Sequence, residues 1–203
     1  MLPVAAAIAL WLIVGRTWRS AIAWSGLLMI GIALVIVTKI AFLGWGVGIR
    51  SLDFTGISGH SMLATAVLPA AVFLGTRSVP VVLRLTMLIV GLVASAIISV
   101  SRLAVDAHSV SEVIAGFALG AAVSLGWIIW AAPNKLNVTA PVSRWLVAVS
   151  LIGLTISLHG YHARTHRWVT QIAVYLSGHD RPFVRARWKA HQAPILSQTR
   201  YLK

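Results

Sequence analysis

The chain has 203 residues, of which 59% are hydrophobic and only 10% are charged, and its mean hydropathy is +0.89. Soluble domains carry about 45–50% apolar and about 25% charged residues, so this composition excludes an ordinary water-soluble globule and indicates an integral membrane protein. The 17 Lys and Arg residues against 4 Asp and Glu residues give a net charge of +13. In a membrane protein such an excess is typical of loops facing the cytoplasm and anionic lipid, and we expect no nucleic-acid partner. The absence of cysteine excludes a disulfide framework and a cysteine nucleophile.

Six apolar stretches follow one another along the chain, and each is a candidate membrane helix because a span needs about 20 mostly apolar residues. They cover residues 2–15, 21–45, 60–75, 80–100, 110–132 and 144–158. The first stretch is short, but it lacks the basic start and the small-residue cleavage site of a signal peptide. We therefore predict an all-α transmembrane bundle of about six spans.

Two units are predicted, a transmembrane domain at residues 1–160 and a basic tail at 161–203. The tail carries 8 of the 17 Lys and Arg residues. Its apolar run at 168–176 is too short to cross a bilayer, which favours a segment lying partly in the membrane interface. The histidines of the tail have a single carboxylate among them, Asp180, so we expect no metal site there.

The connections between the stretches alternate in character. Short basic turns lie near residues 16–19, 76–78 and 134–135. Three of the four acidic residues lie elsewhere: Asp53 in the loop at 44–59, Asp106 in the loop at 101–109, and Glu112 at the start of the fifth apolar stretch. The positive-inside rule places the basic turns in the cytoplasm and the other loops on the outer face. We expect a bacterial inner-membrane protein whose loops at 44–59 and 101–109 lie on the periplasmic side.

Polar residues at the two outer loops have the chemistry that a phosphoryl group requires. Arginine offers a planar fork to phosphate oxygens, lysine adds a point charge, and a helix N-terminus that begins near a glycine offers backbone N–H groups. The transition state of phosphoryl transfer spreads negative charge over its equatorial oxygens, which such groups stabilise. The predicted phosphate-binding residues are Lys39, Arg50, Ser58, Gly59, Ser101 and Arg102.

Two histidines in the same loops suit complementary tasks. His108 and Glu112 are four residues apart, so they share a face of the helix that begins there. A carboxylate at that distance can fix the imidazole tautomer and stabilise its developing positive charge, which favours His108 as a nucleophile that forms a phosphohistidine. His60 would protonate the leaving alkoxide and then activate water.

These residues resemble the motifs of the type 2 phosphatidic acid phosphatase (PAP2) family, in its integral-membrane branch. The third family motif is Ser-Arg, five residues, His, three residues and Asp, and the stretch from Ser101 to Glu112 keeps that spacing with Glu as its last acid. The second, Pro-Ser-Gly-His, appears here with Ile57 in place of Pro. In the first, Lys39 and Arg50 are separated by ten residues instead of the usual six, and Ser51 follows where Pro is expected.

The resemblance covers residues 39–132 and implies a helical core like that of the related haloperoxidases. It implies metal-independent hydrolysis, without a cofactor, of a phosphomonoester or pyrophosphate on a membrane lipid. Phosphatidic acid, phosphatidylglycerol phosphate and undecaprenyl pyrophosphate are the candidate substrates. Two alternatives remain open, a lipid phosphotransferase on the same scaffold and a non-catalytic membrane protein that binds lipid.

Overall fold

The computed structural model describes residues 1–76, 79–104, 108–131 and 162–185, and these ranges are helical apart from short connections. The helices are α1 (Leu2–Val14), α2 (Trp18–Trp45), α3 (Gly59–Gly75), α4 (Val81–Ala104), α5 (Val110–Ala131) and α6 (His162–Ser177). A short 3-10 turn (Arg50–Leu52) lies in the loop between α2 and α3. The predicted all-α class is confirmed, while the apolar stretch at 144–158 lies outside the described residues.

Three of the described helices, α2, α4 and α5, are long and apolar enough to cross a membrane. Helix α3 has 17 residues, so at about 1.5 Å per residue it falls slightly short of the roughly 30 Å hydrocarbon core. Large apolar side chains cover the outside of the long helices, as expected of surfaces that face lipid: Ile22, Met29, Val37, Val82, Ile89 and Ile97 are all exposed. The chain is thus a helical membrane bundle.

Helix α3 lies at the centre of the bundle, where it packs against α4 and α5. Its contact with α5 is close because α5 presents Gly116 and Gly120, one turn apart, to the α3 backbone. A Cβ atom on Gly116 would lie 2.5 Å from the carbonyl oxygen of Ser58, and one on Gly120 would collide with the carbonyl oxygen of Met62. Small residues four apart allow such close approach of membrane helices. This contact brings the start of α5 next to the start of α3.

Large aromatic side chains hold the opposite end of the same helices. Trp127 of α5 packs edge-to-face on Trp24 of α2 and on Phe73 of α3, with ring centroids 5.4 Å and 5.9 Å away. Its indole nitrogen donates to the carbonyl oxygen of Ser20 at 3.1 Å. The bundle is therefore fixed at the aromatic end by ring packing and at the other end by glycine contacts.

We expect Gly120→Ala to destabilise the bundle by about 1–3 kcal/mol, because the added methyl group must push the α3 backbone away. Thermal unfolding in detergent measures the effect. Gly126→Ala is the matched control on the same helix, since its Cβ would meet nothing within 4 Å. That control should be neutral or slightly stabilising because alanine is the better helix former. Equal melting temperatures for the two variants would contradict the close α3–α5 contact.

Candidate active site

Three segments meet at the glycine end of the bundle: the loop between α2 and α3, the start of α3 and the start of α5. The backbone N–H of Ser58 donates to the carbonyl oxygen of Glu112 at 3.1 Å. The hydroxyl of Ser111 donates to the carbonyl oxygen of Leu52 at 2.7 Å. These bonds tie the first turn of α5 to the loop, so the second motif lies beside the end of the third.

A buried carboxylate, Glu112, is the centre of this region, with only 1% of its surface exposed. Its Oε2 atom accepts a hydrogen bond from Nδ1 of His108 at 2.7 Å. Its Oε1 atom accepts from the backbone N–H of Thr55 at 2.8 Å and from the Thr55 hydroxyl. The predicted pairing of His108 with Glu112 is therefore present, and the opposite edge of the carboxylate is bound to the loop.

The bond to Glu112 fixes which nitrogen of His108 carries the proton. An ionised carboxylate can only accept hydrogen bonds, so Nδ1 must be the donor. In a neutral imidazole the other nitrogen, Nε2, then holds the lone pair. That is the tautomer required of a histidine nucleophile.

A capping box at the start of α5, formed by Ser109 and Glu112, also holds Glu112 in place. The Ser109 hydroxyl accepts from the backbone N–H of Glu112, and the Glu112 carboxylate accepts from the backbone N–H of Ser109, both at 3.4 Å. Because α5 begins at Val110, His108 precedes the helix instead of lying in its first turn as predicted. The sequence Ser109-Val-Ser-Glu112 carries the capping-box signature, which the sequence reasoning missed.

The second motif forms the N-terminus of α3. Ser58 is the N-cap residue, is fully buried, and accepts from the Ser61 hydroxyl at 3.1 Å and from the Ser61 backbone N–H at 3.5 Å. Gly59 and His60 occupy the first turn, and the His60 side chain is exposed. The structure thus uses the Ser58 oxygen as a helix cap, and the phosphate-binding role of Ser58 stays a prediction.

Lys39 of α2 lies against the backbone of the same loop. A Cβ atom on Gly56 would be only 3.2–3.4 Å from Lys39 atoms. The backbone N–H of Ile57 donates to the hydroxyl of Thr38, the neighbour of Lys39 in α2, at 3.2 Å. Lys39 is also close enough to Glu112 for an electrostatic interaction. Lys39 is therefore at the same end of the bundle as the histidine–carboxylate pair.

Helix α4 ends at Ala104, whereas the predicted apolar stretch ended at residue 100. Ser101 and Arg102 therefore lie in the last turn of α4 instead of in the loop. Ser101 is exposed and donates its hydroxyl to the carbonyl oxygen of Ile98 at 2.7 Å. The Nε atom of Arg102 is buried and has no hydrogen-bond partner among the described residues. Arg50 is exposed in the 3-10 turn. The phosphate-binding roles of these residues stay predictions.

One residue of the basic tail, Arg185, also reaches this region. Its Nη2 atom contacts Oε1 of Glu112 and donates to the Thr55 hydroxyl at 3.0 Å. Its Nε atom lies 3.5 Å from Oδ1 of Asp53. The sequence reasoning missed Arg185 and Thr55, because no local pattern links residues that are 57 and 73 positions from Glu112. Within the described ranges, no group of three His, Cys, Asp or Glu side chains could hold a metal ion.

This geometry defines the class of protein: a membrane helix bundle with a buried carboxylate paired to a histidine at one end. The chain belongs to the PAP2 superfamily, whose family model matches residues 50–137. It is 40% identical over 188 residues to an "Uncharacterized 22.5 kDa protein in cps region" of Klebsiella pneumoniae, and the match covers 91% of this chain and 90% of that protein. No solved structure matches the chain. The resemblance found in the motifs is thereby confirmed.

Proposed function

We propose that the protein is an integral-membrane lipid phosphatase that acts through a phosphohistidine on His108. The observation that carries this proposal is the 2.7 Å bond between Nδ1 of His108 and the buried Glu112. The bond leaves the Nε2 lone pair of His108 for attack on phosphorus. PAP2 membership supports phosphatase-type chemistry.

The reaction has two displacements at phosphorus. In the first, Nε2 of His108 forms a bond to phosphorus, the bond from phosphorus to the lipid oxygen breaks, and His60 gives its proton to that oxygen. In the second, His60 takes a proton from water as the water oxygen attacks phosphorus. The P–N bond then breaks, and phosphate and free His108 are released.

Fixed positive charge near the pair suits the phosphoryl group. The buried Nε of Arg102 lacks an acceptor among the described residues, and a buried donor without a partner costs free energy that a phosphate oxygen would recover. Lys39 and the N–H groups at the start of α3 would add to the anion site. The site lies at the ends of membrane helices, where a lipid headgroup lies, and we place it on the periplasmic side of the inner membrane.

A panel of lipid phosphates tests the proposal. We expect purified protein in detergent to release phosphate, in the presence of EDTA, from at least one of phosphatidic acid, phosphatidylglycerol phosphate and undecaprenyl pyrophosphate. Analysis of products with and without an alcohol acceptor distinguishes hydrolysis from phosphoryl transfer.

Vanadate provides a second measurement, because it mimics the trigonal-bipyramidal transition state. A bound transition-state mimic should stabilise the fold by about 2.7 kcal/mol at a hundred times its Kd. Thermal unfolding with and without vanadate measures this. A protein that releases no phosphate from any lipid of the panel and shows no vanadate shift would be a non-catalytic lipid-binding relative.

A further inference from the structure

The segment at residues 178–185, which we name the return segment, leads from the end of α6 back to the active site. Helix α6 packs against α2 and ends at Gly178, which has a φ of +67°. The backbone N–H of Phe183 donates to the carbonyl oxygen of Leu43 at 2.8 Å. The return segment is therefore attached by its backbone to the end of α2.

A glycine contact fits the ring of Phe183 to the same place. Gly46 caps the C-terminus of α2 in the left-handed region, with a φ of 68°, and a Cβ atom there would lie 2.9 Å from the Phe183 ring. The ring also meets the His179 ring edge-to-face, with centroids 5.6 Å apart. Phe183 is thus anchored two residues before Arg185, which limits where the arginine can reach.

Arg185 joins two acidic residues from two different segments. Its Nη2 atom contacts the Oε1 atom of Glu112 and the hydroxyl of Thr55, and its Nε atom faces the carboxylate of Asp53. About a quarter of its side-chain surface is exposed, against 2% for Glu112. The arginine therefore lies at the edge of the site and holds the carboxylate edge that His108 does not use.

We propose that Arg185 is a positioning residue of the phosphatase site, which holds Glu112 so that its Oε2 atom stays on Nδ1 of His108. Glutamate has one more rotatable bond than the aspartate usual in the family motif, so its carboxylate needs more contacts to stay in one orientation. Arg185 and Thr55 supply those contacts at Oε1. This proposal rests on the proposed function, since positioning matters only if His108 attacks.

The test compares Arg185→Ala, Arg185→Gln and Arg185→Lys with wild type, using short-chain phosphatidic acid or the best lipid of the panel in detergent micelles. We expect kcat to fall by roughly 10–100-fold, as when the hydrogen-bond partner that orients a metal-binding side chain is removed, with KM changed by less than about threefold. Arg185→Lys should stay impaired, because an ammonium group lacks the fork that joins several acceptors. Arg181→Ala is the matched control, since Arg181 is exposed in the same return segment and should retain wild-type kcat.

Chemical rescue separates positioning from a general loss of structure. Methylguanidinium added to Arg185→Ala should raise kcat by at least about threefold, because the small cation can occupy the vacated place beside Glu112. It should restore nothing in His108→Ala. If Arg185→Ala fails to fold, the same comparison is made with Arg185→Lys, where wild-type kcat would overturn the need for the guanidinium fork.

The outcomes distinguish this proposal from the proposed function. Wild-type kcat in Arg185→Ala together with an inactive His108→Ala would overturn the role of Arg185 and leave the phosphatase mechanism intact. A raised KM at unchanged kcat would show that Arg185 binds substrate instead of orienting Glu112. Wild-type activity in His108→Ala would overturn the proposed function itself.

Discussion

Replacing His108 with alanine is expected to stop phosphate release from a lipid phosphate, lowering kcat by at least about a thousandfold. The methyl group of alanine offers no lone pair to phosphorus, and the groups proposed to bind the phosphoryl oxygens cannot replace the missing nucleophile. Initial rates in the presence of EDTA measure the loss. Gly126→Ala, which changes helix α5 where nothing lies within 4 Å, is the control for expression and extraction. Activity within tenfold of wild type in His108→Ala would contradict the mechanism.

The variant His60→Ala tests whether transfer of the phosphoryl group to His108 precedes its hydrolysis. With 4-nitrophenyl phosphate, whose leaving group needs little help from an acid, His60→Ala should still transfer the phosphoryl group to His108 but hydrolyse it slowly. We expect a burst of about one equivalent of nitrophenolate and an accumulated phosphoenzyme, detected after an alkaline quench. A phosphoenzyme in His108→Ala would show that another residue is the nucleophile.

The pairing of His108 with Glu112 was predictable because their chemistry is encoded in a local spacing. Residues four apart at a helix start stay within reach of each other even though His108 precedes α5, which begins at Val110, and the observed bond runs between those two side chains. The long membrane helices were predictable for a similar reason. In a chain of this composition, an apolar run of sufficient length predicts a membrane-spanning helix, because a helix satisfies all of its backbone hydrogen bonds within the lipid.

The contacts of the other carboxylate edge were not predictable from the sequence. Thr55 and Arg185 reach Glu112 only because α3 and α5 approach closely at Gly116 and because the return segment is anchored on α2. Neither condition leaves a periodic pattern near Glu112. The short apolar run at 168–176 predicts a tail that lies partly in the membrane interface, whereas one arginine of the tail belongs to the neighbourhood of the site.

Helix α3 matches the predicted apolar stretch at 60–75, but at 17 residues it is shorter than a full membrane span. Its central position requires close neighbours on several sides, and most of its buried residues are small or medium in size: Ser61, Ala64, Thr65, Ala66, Val67, Pro69 and Ala70. Hydropathy shows that these residues are apolar on average. It does not show whether they face other helices or lipid. The same property lets the helix N-terminus lie inside the bundle, against the first turn of α5.

Glu112→Gln is the second change for which we expect a large effect, a fall in kcat of roughly a thousandfold or more, as when a triad carboxylate becomes an amide. Both oxygens of Glu112 accept hydrogen bonds, one from His108 and the other from Thr55 and Arg185. An amide has one accepting oxygen, so its NH₂ group must face donors on one side. If it faces His108, the ring must move its proton to Nε2, which removes the lone pair needed for attack.

The same substitution leaves Arg185, whose side chain is 25% exposed and still faces Asp53, beside a neutral group, so the cost should be smaller than the roughly 3–5 kcal/mol of breaking a fully buried ion pair on one side. Glu112→Gln should therefore also melt at a lower temperature than wild type, measured in the same detergent. Glu112→Asp separates charge from length, because it keeps two accepting oxygens but shortens the side chain by one methylene group. We expect its kcat to lie between wild type and Glu112→Gln, since the shorter carboxylate cannot reach His108 and the Thr55 contacts equally well. A Glu112→Gln protein with wild-type kcat would show that the carboxylate does not set the tautomer of His108.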